Sequence, residues 1–321
     1  MNITVIGCGR WGSLITWYLD HIGHRVTLYG RAASPRMQAF LTTRQNDLLT
    51  LPESVALSTA LDAALESAET VIISIGSQSL RSLLGQSELQ ALRSRTVVLC
   101  MKGLEMGTGA RLSQIAAELL HPSNTVAVWL GPGHVQEFYR GIPNCMVIDS
   151  ENEDVKRRLV QSFSSDLIRF YYGGDMIGNE VGAAAKNVVG IAAGFLDGFE
   201  MSSLKGALMS RGTREVARLI KAMGGSELSA YGLCHLGDYE ATVFSPYSHN
   251  RQFGESFVRG QDYHQLAEGY YTVKALMLLG QRYGVELPIC KAVHDILYEQ
   301  AVPRDVLAGL LRRGLTEEFY D

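Results

Sequence analysis

The chain has 321 residues, 46% of them hydrophobic and 19% charged, with a formal net charge of −4. That apolar share supports real cores and excludes a disordered chain, and the length predicts about two domains. No basic stripe or run appears, which excludes a nucleic-acid footprint, and no stretch approaches the ~18 uninterrupted apolar residues of a membrane span.

Residues 2–7, NITVIG, form a β-branched run ending in glycine, the pattern of a buried parallel strand. The next residues read GCGRWG, from Gly7 to Gly12. Residues 13–21 carry Leu14, Ile15, Trp17, Tyr18 and Leu19 at helical spacing, and Gly23 stops that helix. Residues 24–29, HRVTLY, read as a second strand. Strand, glycine turn, helix and strand in sequence make one βαβ unit. Further strands are predicted at 69–75, 96–101, 125–130, 144–148 and 168–172, with helices at 80–92, 109–120 and 155–164. From residue 179 on the periodicity is helical throughout, at 179–195, 203–223, 272–283 and 289–300. The expectation is an α/β chain. Residues 1–178 form a Rossmann-type doubly wound parallel sheet, and residues 179–321 an all-helical C-terminal domain.

The five cysteines, Cys8, Cys100, Cys145, Cys234 and Cys290, are far apart and mostly lie in apolar runs. They read as buried thiols in a reducing compartment, with no metal spacing. The N-terminus has no cationic segment followed by an apolar one and a cleavage site, so a cytoplasmic protein is expected.

Glycine is the compositional outlier, with 33 residues. Three of them make the GxGxxG turn, which here follows a strand and opens a helix. Gly7 permits the tight turn, Gly9 lets backbone approach a pyrophosphate, and Gly12 lets helix and strand pack. The helix N-terminus then offers unpaired N–H groups to phosphate. A carboxylate usually ends the second strand of an NAD site. This chain has Tyr29-Gly30-Arg31 instead, and Arg31 can pair with a 2′-phosphate. NADP(H) is therefore expected to be preferred, with NAD(H) possible.

Seven segments in order resemble the NAD(P)-dependent glycerol-3-phosphate dehydrogenases of the bacterial type, nearly end to end. The family's GAGSWG or GAGAWG is GCGRWG here, with Trp11 in place. KG(I/L)E is Lys102-Gly103-Leu104-Glu105, and GPSFAxE is Gly131-Pro132-Gly133-His134-Val135-Gln136-Glu137. E(L/V)GGALKN is Glu180-Val181-Gly182-Ala183-Ala184-Ala185-Lys186-Asn187. GLGDL is His235-Leu236-Gly237-Asp238-Tyr239, and SRNRRFG is Ser248-His249-Asn250-Arg251-Gln252-Phe253-Gly254. (V/A)EG is Ala267-Glu268-Gly269.

The resemblance implies reversible reduction of dihydroxyacetone phosphate to sn-glycerol 3-phosphate for glycerophospholipid synthesis, by a homodimer. It implies Lys186 as proton donor and acceptor, with Asp238 and Lys102 completing the catalytic set. Lys186 stands in the apolar run AAAKNVVGIAAG, where an ammonium needs a purpose. The cofactor set it implies is Gly7, Gly9, Arg10, Trp11, Gly12, Arg31, Lys102, Val135, His249 and Glu268. The substrate set is Lys102, Gly131, Gly133, Lys186, Asp238, Ser248, His249, Asn250 and Arg251. Three departures stand out: Gly133 for Ser or Thr, His249 for the first Arg of SRNR, and Tyr239-Glu240-Ala241 for apolar residues after Asp238. Two other readings remain open on the residues. One is a related dehydrogenase of the ketopantoate or β-hydroxyacid type, and the other is a non-catalytic dinucleotide sensor.

Overall fold

The computed structural model describes residues 1–312, 317 and 318. Of the expected helical domain, 313–316 and 319–321 lie outside the described residues. By internal contacts the chain divides into two units. The first comprises Met1–Met101 and Leu112–Met176, and the second Lys102–Arg111 and the chain from Ile177 onward. The ten residues after Met101 thus leave the sheet unit and belong with the helices, where a single break after residue 178 was expected.

The first unit is built on an eight-stranded sheet. Its strands are β1 (Asn2–Ile6), β2 (Arg25–Tyr29), β3 (Ala56–Ser58), β4 (Thr70–Ile73), β5 (Thr96–Leu99), β6 (Thr125–Leu130), β7 (Asn144–Asp149) and β8 (Ile168–Tyr172). Their order is β3-β2-β1-β4-β5-β6-β7-β8. β4 and β5 are buried at every position, as VII and VVL runs require in a sheet covered on both faces. Ile3, Val5, Ile72, Val98, Trp129 and Phe163 belong to one core. The strand order reverses between β1 and β4, so β1 ends at the switch point where such sheets bind ligands.

The sheet is mainly parallel, as expected, with one reversal. β7 pairs antiparallel to β6, and β8 follows β7 in parallel. Between β6 and β7 lie residues 131–143, whose helix, Val135–Tyr139, has only five residues, whereas parallel neighbours are usually joined by a full crossover helix. The elements that were not predicted include β3 and the helix Pro35–Thr43. The expected helix at 80–92 is two short ones, Leu80–Leu84 and Ser87–Gln90, separated at Gly85 and Gln86.

The second unit is helical, and among its described residues from Ile177 on there is no strand. Its central helix, Met176–Gly198, is buried at every position from Gly178 to Leu196. That suits an Ala- and Gly-rich sequence apolar all round. Val181, Val188 and Phe195 pack with Leu219, Leu276 and Leu279 in a second core. Glu215, on the helix Lys205–Ala222, accepts the amides of Ile289 and Cys290 at 2.8 and 3.0 Å. It thereby caps the helix Pro288–Tyr298 from a buried position, and burial pushes its carboxyl up.

Candidate active site

In the sheet unit the glycine turn follows β1 directly. Gly7 holds φ +117°, and an added Cβ would stand 2.1 Å from the Ser74 carbonyl oxygen. A Cβ on Gly12 would meet the Gly7 oxygen at 1.9 Å, so turn and helix pack backbone on backbone. The helix Arg10–His21 begins at Gly9, and no side chain caps it. Its leading N–H groups have no intrahelical acceptors and suit an anion. At the end of β2, Gly30 follows Tyr29 and Arg31 is exposed. The Arg36 guanidinium reaches within 3.7 Å of where a Gly9 Cβ would stand. It was not picked out from the sequence, although Ser34-Pro35 announces the helix that carries it. Ser34 caps that helix by accepting the Met37 amide. The turn, the uncapped helix and the two arginines fit a dinucleotide, with the pyrophosphate on Gly9–Gly12.

Trp11 lies with its ring 6.1 Å from Phe138. Val135 is buried and opens the short helix after His134. Gly131 holds φ +130° and Gly133 φ +136°. A Cβ on Gly133 would strike the Phe138 ring at 2.2 Å, which explains the missing Ser or Thr: Phe138 occupies its place.

In the helical unit the expected catalytic residues come together. Lys186 is 7% exposed and Asp238 1%. Lys186 Nζ lies 2.7 Å from Asp238 Oδ2, and Lys102 Nζ also lies 2.7 Å from that oxygen. Lys186 donates to Thr242 Oγ1 at 2.8 Å, and Thr242 donates to the Asp238 carbonyl at 2.7 Å. Asp238 and Thr242 sit on successive short turns, Leu236–Asp238 and the π-helical Glu240–Phe244. The other carboxylate oxygen, Asp238 Oδ1, is buried with no hydrogen-bond partner among the described residues. Burial pulls the Lys186 ammonium down to about 8. Asp238 opposes that fall, and neighbouring Lys102 adds to it.

A chain of amides frames this cluster. Asn187 Nδ2 donates to the Lys102 carbonyl at 2.8 Å, and Asn250 Nδ2 donates to Asn187 Oδ1 at 3.0 Å. Asn250 Oδ1 accepts the Gly269 amide at 2.9 Å, beside Glu268 at the start of the helix Glu268–Tyr283. Asn187 lay inside a matched motif but had no expected role. Its position follows from the helix, one residue after the lysine.

The segment of Ser248, His249, Asn250 and Arg251 begins a helix. Ser248 is the N-cap of His249–Val258 and accepts the Arg251 amide at 3.3 Å. Arg251 Nη1 donates to Asp197 at 2.8 Å and Glu255 at 3.0 Å, and its Nε donates to the Ser245 carbonyl at 3.1 Å. Burial works upward on Asp197, but Lys205, Ser202 and Arg251 outweigh it and hold the carboxyl below its usual range. His249 pairs through Nδ1 with the Tyr263 hydroxyl at 2.7 Å. Arg251 and His249 therefore engage protein groups, while Asn250 joins the lysine cluster.

A family model described as NAD-dependent glycerol-3-phosphate dehydrogenase N-terminus matches residues 2–156, and its C-terminal counterpart matches 175–308. The chain belongs to the NAD-dependent glycerol-3-phosphate dehydrogenase family. A relative named glycerol-3-phosphate dehydrogenase [NAD(P)+] from Prosthecochloris aestuarii is 32% identical, covering 99% of this chain and 100% of its own. One of the same name from Nitrosomonas europaea is 35% identical over 98% of each. A solved glycerol-3-phosphate dehydrogenase from Coxiella burnetii matches with TM-score 0.89 and 27% identity, over 97% of this chain and 99% of that one. A 2-dehydropantoate 2-reductase from Methylococcus capsulatus matches at TM-score 0.62 and 16% identity, over 98% of this chain and 99% of that one, which shows a shared fold. Among the described residues no helix is long and apolar enough to cross a membrane.

Proposed function

We propose that this glycerol-3-phosphate dehydrogenase family member reversibly reduces dihydroxyacetone phosphate to sn-glycerol 3-phosphate, using NADPH in preference to NADH. The observation that carries the reading is the buried Lys186, facing Asp238 and Lys102 with its proton affinity brought toward neutrality. The nicotinamide, when bound, supplies the hydride that the carbonyl carbon takes up. Lys186 gives its proton to the carbonyl oxygen as the alcohol forms, and takes it back in oxidation. A proton donor works best with an affinity near the working pH. Lys102 holds positive charge beside the same carboxylate and polarises the carbonyl. Asp238 keeps both ammonium groups in place through Oδ2, and its unpartnered Oδ1 accepts a substrate hydroxyl. Asn187 and Asn250 hold the Lys102 backbone and the Glu268 helix end around the substrate.

Arg31 and Arg36, with no carboxylate at the end of β2, support the NADPH preference. Gly7, Gly9, Arg10, Trp11, Gly12 and Val135 belong to the cofactor side in this reading. Gly131, Ser248 and His249 belong to the substrate side in the same reading, and the Arg251 amide bonds to Ser248 Oγ. Five cysteines, none of them in a disulfide, suit the cytoplasm. A homodimer that feeds glycerophospholipid synthesis completes the reading. The test is an assay of NADPH and NADH oxidation with dihydroxyacetone phosphate against a panel of non-phosphorylated ketones. Turnover on the phosphorylated triose with higher kcat/KM for NADPH is expected. Turnover confined to a non-phosphorylated keto acid would overturn the substrate, and a higher kcat/KM for NADH would overturn the cofactor preference.

A further inference from the structure

The family motif GLGDL reads His235-Leu236-Gly237-Asp238-Tyr239 here, so its first and last positions both differ. The two residues bond to each other: the Tyr239 hydroxyl lies 2.7 Å from His235 Nε2, with the rings edge to face. His235 Nδ1 lies 2.8 Å from the Gly182 carbonyl oxygen. A carbonyl only accepts, so Nδ1 carries the proton and Nε2 accepts from Tyr239. Gly182 stands four residues before Lys186, and in an α-helix its carbonyl also accepts the Lys186 amide. The far side of Tyr239 is anchored too, with its hydroxyl 3.4 Å from Thr213 Oγ1 on the helix Lys205–Ala222.

Both side chains are fully buried. Burial pulls His235 down to about 4; the Gly182 bond and Asp238 oppose that fall, and Lys186 adds to it. Burial pushes Tyr239 well above the usual phenol range, helped by Cys290 and Glu215. Both groups are therefore neutral at neutral pH, and the pair brings no charge beside Lys186. It brings direction. The turn that carries Asp238 is tied at one end to the lysine's own helix and at the other to a second helix.

We propose that His235 and Tyr239 are positioning residues that act as one unit, locking Asp238 against the Lys186 helix without touching substrate. Gly and Leu, which stand at these positions in the family motif, have no side-chain polar groups, so this lock is an alternative way to hold the turn. The kinetic part of the inference rests on the proposed reduction chemistry, but the geometry does not.

The test uses the full chain and four variants: Tyr239→Phe, His235→Ala, His235→Asn, and the double variant His235→Ala/Tyr239→Phe. Tyr239→Phe removes one oxygen and keeps the packing. It is expected to lower kcat by about 10- to 100-fold, the scale of a small misplacement of catalytic groups, with the KM for cofactor unchanged. His235→Asn, whose amide can replace the Nδ1–H bond to Gly182, should recover part of the activity that His235→Ala loses. The double variant should lose less than the product of the single losses. Carbon-13 NMR of the Lys186 side chain supplies a readout that needs no turnover. A loosened turn admits water, and the lysine should titrate higher in Tyr239→Phe, toward its ordinary value. Unchanged kcat together with an unchanged Lys186 titration in Tyr239→Phe would overturn the inference, as would strictly multiplicative losses. A parent enzyme that turns over no ketone would instead overturn the proposed function, and the lysine titration would still decide this inference.

Discussion

Lys102 and Lys186 meet at one atom, each with its ammonium nitrogen 2.7 Å from Asp238 Oδ2. Two cations on one buried carboxylate oxygen compete for it, and Lys102 is one of the causes that lower Lys186 to about 8. In the proposed reaction Lys186 is the proton donor, so kcat/KM for reduction should fall as pH rises through about 8, while oxidation rises over the same range. Replacing Lys102→Met removes a cation and moves both limbs to higher pH. It also lowers kcat by about 10- to 100-fold through lost polarisation of the carbonyl. Steady-state pH profiles of the two enzymes decide this. Coincident limbs would refute the coupling.

The same depression has a stability consequence. Lys186 titrates at about 8 in the native protein, against an ordinary lysine value of 10.5. Between those values the unfolded chain binds the proton and the native protein does not. The contribution of this group to stability therefore increases as pH rises from about 8. Below that, its burial is a standing cost. Asp238 still has Lys102 when Lys186 is replaced, so no buried charge is stranded. Lys186→Met should be inactive yet at least as stable as the parent at pH 7. Urea unfolding at pH 7 and pH 10 measures this, and a large loss of stability at pH 7 would contradict it.

Arg36 reaches the glycine turn and Arg31 follows the end of β2, with no carboxylate between them in the chain. A charged hydrogen bond to a 2′-phosphate contributes about 1.5–3 kcal/mol. Arg36→Ala should raise the KM for NADPH by about 10-fold or more and leave that for NADH nearly unchanged. Arg31→Ala should do the same. Equal effects on the two cofactors would assign these arginines to the pyrophosphate or to the surface.

Restoring the family's hydroxyl at residue 133 should harm the protein. Gly133 holds φ +136°, and a Cβ would sit 2.2 Å from the Phe138 ring. Backbone strain and overpacking together put Gly133→Ser at about 2–4 kcal/mol of destabilisation. A second change, Phe138→Ala, should relieve the clash but not the strain. Thermal unfolding of the single and double variants separates the two.

The parts of the fold legible in the sequence are those where one element carries a strong period or a glycine at a required place. β1, the turn and its helix are of that kind, and so is the apolar Met176–Gly198 helix with one lysine in it. β3 is three residues, Ala56–Ser58, too short for alternation to register. The direction of β7 depends on how the chain returns from β6, which strand composition does not encode. The helix His249–Val258 gives little apolar period because its face is polar, and Ser248 as N-cap is its main sequence signal. At the site, the motif matches singled out Lys186, Asp238 and Lys102, which the structure brings together. What no one-dimensional reading contains is which oxygen they share. It also hides that His249 turns to Tyr263, that Arg251 turns to Asp197, and that two motif departures bond to each other.

The ten residues from Lys102 to Arg111 group with the helices although β5 and the helix Leu112–Leu119 on either side belong to the sheet. The polypeptide therefore passes between the units three times, after Met101, after Arg111 and after Met176. Lys102, Lys186 and Asp238 ride on one body, so their mutual spacing is indifferent to any displacement of the other. A fragment beginning at residue 179 would carry Lys186 and Asp238 but leave Lys102 behind. The cluster of two lysines and one aspartate belongs to the whole chain, not to a C-terminal module.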